Sequence, residues 1–135
     1  MSKHISIELH THEPCTLSSV VELLRKASLD IRDKEGNIYI LNKESYDYEA
    51  FSYSDKEFFN LPQDIWFKAY GEEIKEATVY ILSENCLCLY IDAYINRVLL
   101  SENQPVPDFN MYYDCLVNKM NKDKCLVEWV IFKEI

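Results

Sequence analysis

At 135 residues the chain has the length of one domain, and its 48% hydrophobic content excludes a disordered polyampholyte. Two glycines and four prolines exclude collagen-like repeats, long flexible linkers and glycine-rich phosphate loops. The formal charge of −9 argues against binding nucleic-acid phosphate, an affinity that comes from counterion release by Lys and Arg, and suits a basic protein partner.

In chain order, residues 4–10 alternate strictly, with Ile5, Ile7 and Leu9 on one face and His4, Ser6, Glu8 and His10 on the other, the pattern of a half-buried strand. After Pro14, Thr16 is placed to cap a helix over residues 17–28. Its apolar stripe is Leu17, Val20, Val21, Leu24 and Ala27, and Arg25 and Lys26 complement the C-terminal end of its dipole. Leu29 and Ile31, the turn at 33–37 and the run 38–41 predict two strands around Gly36. Residues 46–53 predict a third, in which Asp47 and Glu49 face water. Ser54 and Glu57 have the form of a capping box, and Pro62 opens a second short turn carrying Ile65, Trp66 and Ala69. Residues 77–82 and 87–95 predict a hairpin about Ser83, Glu84 and Asn85, with Leu87, Leu89, Ile91, Ala93 and Ile95 on one face of its second strand. Residues 101–110, with Pro105 and Pro107, predict a loop. A helix with the stripe Met111, Tyr112, Cys115, Leu116 and Met120 follows, and a strand over 126–132 closes the sheet. This order implies a single domain over 1–135 of α+β class, with two or three helices packed on one face of a mainly antiparallel sheet.

The first six residues lack an apolar h-region and no run of 18 apolar residues occurs, so the chain is expected in the cytoplasm, without a membrane contact. Cys15, Cys86, Cys88, Cys115 and Cys125 show no framework spacing and read as reduced small hydrophobes.

Residues 44–76 concentrate both charge and rings: nine acids against three bases, a net −6 of the chain's −9, and nine of its 18 Phe, Trp and Tyr residues. Carboxylates steer a basic partner, and tyrosines anchor it with a rigid body and a polar tip. In whole-chain character the sequence resembles the bacterial toxin-immunity proteins, small acidic cytosolic inhibitors. That resemblance implies occlusion of a basic partner such as a nuclease toxin, with Asp47, Glu49, Asp55 and Glu57 steering and Tyr46, Tyr48, Tyr53 and Trp66 anchoring. It implies no catalytic residue and no cofactor. An acidic subunit of a larger assembly is an alternative in the same class.

A different chemistry is suggested by Glu8-Leu9-His10-Thr11-His12-Glu13. Residues two apart on a strand project to one side, so His10 and His12 could share a metal, with Glu8 or Glu13 as a further ligand. Continued through Thr16 to Ala27, the segment resembles the first motif of the polymerase-and-histidinol-phosphatase phosphoesterases, a distorted barrel with further His, Asp and Glu ligands on later strands. The remaining histidine, His4, lies upstream and the later pattern is a meander, so the rest of that ligand set is not supplied. Solvent-facing histidines at a strand's end are the favoured reading, and a metal-dependent hydrolase on His10 and His12 is the alternative. Cys86 and Cys88 share a strand face but lack the second pair of a structural zinc site, and no G-x-S-x-G or activated cysteine supports nucleophilic catalysis.

Overall fold

A computed structural model describes residues 4–92, 99–101, 104–107 and 109–134. The elements in order are β1 (His4–Thr11), α1 (Leu17–Lys26), β2 (Ile38–Leu41), β3 (Tyr48–Phe51), α2 (Asp55–Phe59), β4 (Trp66–Tyr70), β5 (Glu76–Ser83), β6 (Cys86–Asp92), β7 (Leu99–Ser101), β8 (Gln104–Pro107), α3 (Phe109–Tyr112, continuing as π-helix over Tyr113–Asn118) and β9 (Val127–Glu134). Seven strands form one antiparallel sheet in the order β3-β2-β4-β5-β6-β1-β9, and β7 pairs with β8 apart from it. The fold is α+β, and no described helix is long and apolar enough to cross a membrane.

The described helices all pack on one face. Leu17, Val20, Val21 and Leu24 of α1, Phe58 of α2 and Tyr112 and Leu116 of α3 share one buried cluster with Ile5, Ile7, Leu9, Phe67, Val79, Leu87 and Leu89 of the strands. Alternation then sends every second strand residue to the opposite face. There the register sets Glu8 against Cys88, His10 against Cys86, Thr78 against Tyr90 and Trp66 against Tyr80. The β5–β6 turn is tied to the end of β1 by Thr11 N–H and Cys15 N–H, which donate to Asn85 O at 2.8 Å and Glu84 O at 2.6 Å.

Caps follow the local sequence. Thr16 Oγ1 accepts from Ser19 N–H at 3.0 Å while Ser19 Oγ accepts from Thr16 N–H at 2.8 Å, and Ser54 and Glu57 reciprocate in the same way at α2. At its other end α1 stops at Lys26, two residues before the expected limit. Leu29 N–H donates to Leu24 O at 2.9 Å and Ser28 N–H to Arg25 O at 3.0 Å, the paired bonds of a Schellman ending, with Ser28 at φ 60 where glycine is usual.

Four expectations are corrected by strand pairing. Trp66 lies not in a turn but in β4, held between β2 and β5, because Phe67 and Ala69 alternate into the core. Leu29 and Ile31 belong to no strand; their neighbours form single bridges, Asp30 with Tyr70 and Arg32 with Ile38. Tyr46 and Asp47 fall in the β2–β3 loop, and Glu49 sits opposite Ile40 on the helix side, so Tyr48 and Ala50 take the other face. Residues 104–107 are extended and paired rather than a loop, while Ala93 and Ile95 lie outside the described residues.

Ser28 meets Gly71 at a tight corner, where a Cβ on Gly71 would stand 2.9 Å from Ser28 O and 2.8 Å from Leu29 Cδ2. Opposite signs are expected for two substitutions there. Gly71→Ala should destabilise by ~1–3 kcal/mol because backbone must move, whereas Ser28→Gly should stabilise by up to ~1 kcal/mol by relieving the left-handed serine. Urea unfolding of both variants measures the two effects.

Candidate functional site

On the face away from the helices the strands build a row of rings. The Trp66 indole stacks on Tyr80 at 4.6 Å between centroids and on Tyr90 at 5.2 Å. Beside it Lys68 Nζ stands 4.5 Å from the centre of the Tyr48 ring and donates to Thr78 Oγ1 at 3.1 Å. Leu41, Lys43, Tyr46, Tyr48, Trp66, Thr78 and Tyr90 line an open concavity of ≈ 590 Å³. Burial pushes the Tyr48 and Tyr90 phenols up, so both stay neutral hydrogen-bonding tips on apolar bodies.

Tyr46 stands at the rim of this concavity with 80% of its surface exposed and φ 60. The loop that holds it is organised by Asn42, whose N–H donates to Asp47 O and whose carbonyl accepts from Tyr46 N–H, both at 2.8 Å, while Asn42 Oδ1 accepts from Glu44 N–H at 2.9 Å. A bulky side chain in the left-handed region is strained, and such strain persists where the surroundings enforce it.

The eight residues expected to bind a partner divide between two sides of the molecule. Tyr46, Tyr48 and Trp66 meet in the concavity, and exposed Asp47 adjoins Tyr46 in its loop. Glu49 is exposed at the sheet edge and accepts from Asn42 Nδ2 at 2.8 Å. Tyr53 stacks on Phe51 at 4.9 Å and packs against the core under the helices. Asp55 is held by Arg32 at 2.8 Å and Arg25 at 3.4 Å, and Glu57 closes the α2 capping box. Of the nine rings in residues 44–76, Phe58 and Phe67 are buried and only Tyr46 is exposed; the other six are half-buried. Sequence reading does not name Tyr80, Leu41 or Lys68 as partner-binding residues, and it places Tyr90 only in a small polar network on the Cys86 and Cys88 face of its strand. Alternation of Thr78 and Tyr80 with buried Val79, and of Tyr90 with buried Leu89, carried the signal for the strand pair.

The histidines engage separate partners. Exposed His12 Nδ1 lies 2.6 Å from Glu128 Oε1. The His10 ring stacks on Trp129 at 3.5 Å and 8°, with Nε2 3.5 Å from Glu8 Oε2 and 3.6 Å from Cys86 Sγ. Glu8, His10 and Cys86 thus converge, whereas His12 does not join them.

A second cleft, ≈ 370 Å³, is lined by Ser28, Gly71, Glu73, Cys115 and Lys119 among others. Cys115 Sγ donates to Glu73 Oε2 at 2.6 Å and Lys119 Nζ to Glu73 Oε1 at 3.3 Å. Burial, and then the bond to Glu73, push the Cys115 thiol up to about 12, the wrong direction for a nucleophile at neutral pH. Burial likewise raises Cys15, Cys86 and Cys88, while Cys125 is exposed. Iodoacetamide at neutral pH should therefore alkylate Cys125 well ahead of the other four thiols in the native protein, as peptide mass spectrometry would read.

The hydrogen bond from Arg32, with the charge of Arg25 behind it, holds the Asp55 carboxyl below its ordinary value near 3.8. A depressed folded value means that the pair contributes above the unfolded value and is lost as pH falls through the folded one. Asp55→Asn should accordingly lower stability at neutral pH and by progressively less below pH 3.8, measured by thermal melts across the acid range. No family model matches the chain, and neither a curated protein nor a solved structure matches it.

Proposed function

We propose that this chain is a binding and inhibitory module that seats a basic protein partner on the ring-lined face of its sheet, acting in the cytoplasm in the manner of a toxin-immunity protein. One observation carries the reading: Trp66, stacked against two tyrosines, sits in an open concavity whose rim is an exposed tyrosine held in a strained backbone conformation. Rings locked by their neighbours lose little freedom on binding, which leaves more of the contact energy as affinity. No described helix contributes to the lining of that concavity.

The charge of the chain favours a basic partner. Exposed Glu44, Asp47 and Glu49 surround the Tyr46 loop and supply the long-range attraction, whereas Asp55 and Glu57 are engaged at α2 and contribute less to it. Arginine and lysine side chains of such a partner can settle over the ring faces, the arrangement Lys68 already adopts over Tyr48. An enzyme built to hold nucleic-acid phosphate, such as a nuclease toxin, presents that kind of surface.

The test begins with the complex purified from the source cell, its second chain identified by mass spectrometry and assayed with and without this protein. Inhibition of a basic enzyme is expected. Trp66→Ala and Tyr46→Gly should each weaken the complex about 30-fold, the scale of an aromatic anchor worth roughly 2 kcal/mol, and Tyr46→Gly should do so without loss of stability. A combined Glu44→Lys, Asp47→Lys and Glu49→Lys variant should associate more slowly and with less salt dependence. An acidic partner, or wild-type affinity in both aromatic variants, would remove the reading.

A further inference from the structure

We propose that Glu8, His10 and Cys86 form a site for a zinc-like divalent cation where β1 meets β6, with His10 Nε2, Cys86 Sγ and a Glu8 carboxylate oxygen as ligands and a fourth position open to water. The proposal does not depend on the partner-binding reading, because none of these residues lines the Trp66 concavity.

Antiparallel pairing creates the cluster. His10 lies directly across from Cys86, and Glu8, two residues earlier on β1, projects to the same face. One ligand atom from each falls within 4.8 Å of the others, with Nε2 3.5 Å from Glu8 Oε2 and 3.6 Å from Cys86 Sγ. Around a tetrahedral zinc, with bonds of about 2.0–2.1 Å to nitrogen or oxygen and about 2.3 Å to sulfur, neighbouring ligand atoms stand roughly 3.3–3.6 Å apart. The 3.5 Å and 3.6 Å separations match those edges.

Neighbouring side chains hold two of the ligands in place. Trp129, across from His10 on β9, stacks on the imidazole at 3.5 Å and 8° and fixes its plane. Lys133 Nζ takes the other Glu8 oxygen, Oε1, at 3.4 Å, which leaves Oε2 directed at His10. Outer partners of this kind commonly orient metal ligands. The donor set of imidazole, thiolate and carboxylate suits zinc and disfavours magnesium or calcium, which take oxygen ligands. Cys86 is buried, while the side chains of His10 and Glu8 keep 23% and 17% of their surface, so the ion is reached from the His10 and Glu8 side and water completes its shell there. Two anionic ligands balance a dication, so the mutual repulsion of thiolate and carboxylate becomes attraction to a shared charge.

The experiment uses the full chain without an affinity tag, treated with chelator and titrated with cobalt(II). One equivalent should bind with a thiolate-to-cobalt charge-transfer band and the intense visible bands of tetrahedral cobalt, and zinc should displace it. Cys86→Ser should abolish the charge-transfer band. Glu8→Gln and His10→Gln should each weaken binding by about 100-fold or more, beyond the usual effect of losing an outer-shell partner. Cys88→Ser and His12→Ala should bind as wild type, and circular dichroism of the metal-free variants checks that each is folded. Absence of stoichiometric binding, a six-coordinate spectrum without charge transfer, or dependence on Cys88 or His12 in place of Cys86 and Glu8 would overturn the site.

Discussion

Burial of one sheet face under the three described helices is the constraint from which the rest of this molecule follows. The period of a strand is two, so once Ile5, Ile7 and Leu9 are committed to the interior, Ser6, Glu8 and His10 must appear on the other side, and the same holds for every strand hydrogen-bonded to β1. A slip of one residue would exchange the two sets. The register that stabilises the core is therefore the same register that assembles the row of Trp66, Tyr80 and Tyr90 and brings Cys86 to His10. Core and candidate sites are two consequences of one pairing.

Among the described residues, the two non-glycine residues with positive φ have different physical roles. Ser28 ends α1 at a corner closed by Gly71, and its strain is repaid locally by two terminating hydrogen bonds and by the packing of Leu29. Tyr46 has no comparable packing, since most of its surface is in water, and its loop is held by Asn42, with Ser45 Oγ accepting from Asp47 N–H at 3.3 Å and Lys43 paired with Asp64.

Charge and rings, interleaved in sequence over residues 44–76, separate in space. Phe58 and Phe67 turn inward, Tyr53 packs below the helices, and Asp55 and Glu57 are engaged by Arg32 and by the α2 cap. What remains toward the ring-lined face is a smaller set than composition suggests, joined by residues of β5 and β6 twelve or more positions away from Trp66 in the chain. Lys43, which lines the concavity, and Lys68 beside it have carboxylate neighbours at 2.8 Å and 3.9 Å. The face is thus amphipathic rather than uniformly acidic.

Short-range pattern was enough to establish the α+β class, the strand at residues 4–10, both capped helix starts and the β5–β6 hairpin, because each depends on neighbours within a few positions: an alternation, a hydroxyl three residues from an amide, a polar turn between apolar runs. It could not reveal that Trp66 to Tyr70 is a strand, because five residues containing three rings have no decisive period until β2 and β5 lie alongside. Nor could it pair His10 with Cys86 across 76 positions, assign Asn121 to hold the start of β9 through Leu126 N–H and Val127 N–H, or show that His12 turns to Glu128 instead. Those outcomes depend on which strands become neighbours, and that choice is made by burying the whole apolar set at once, a property of the assembled sheet and of no single segment.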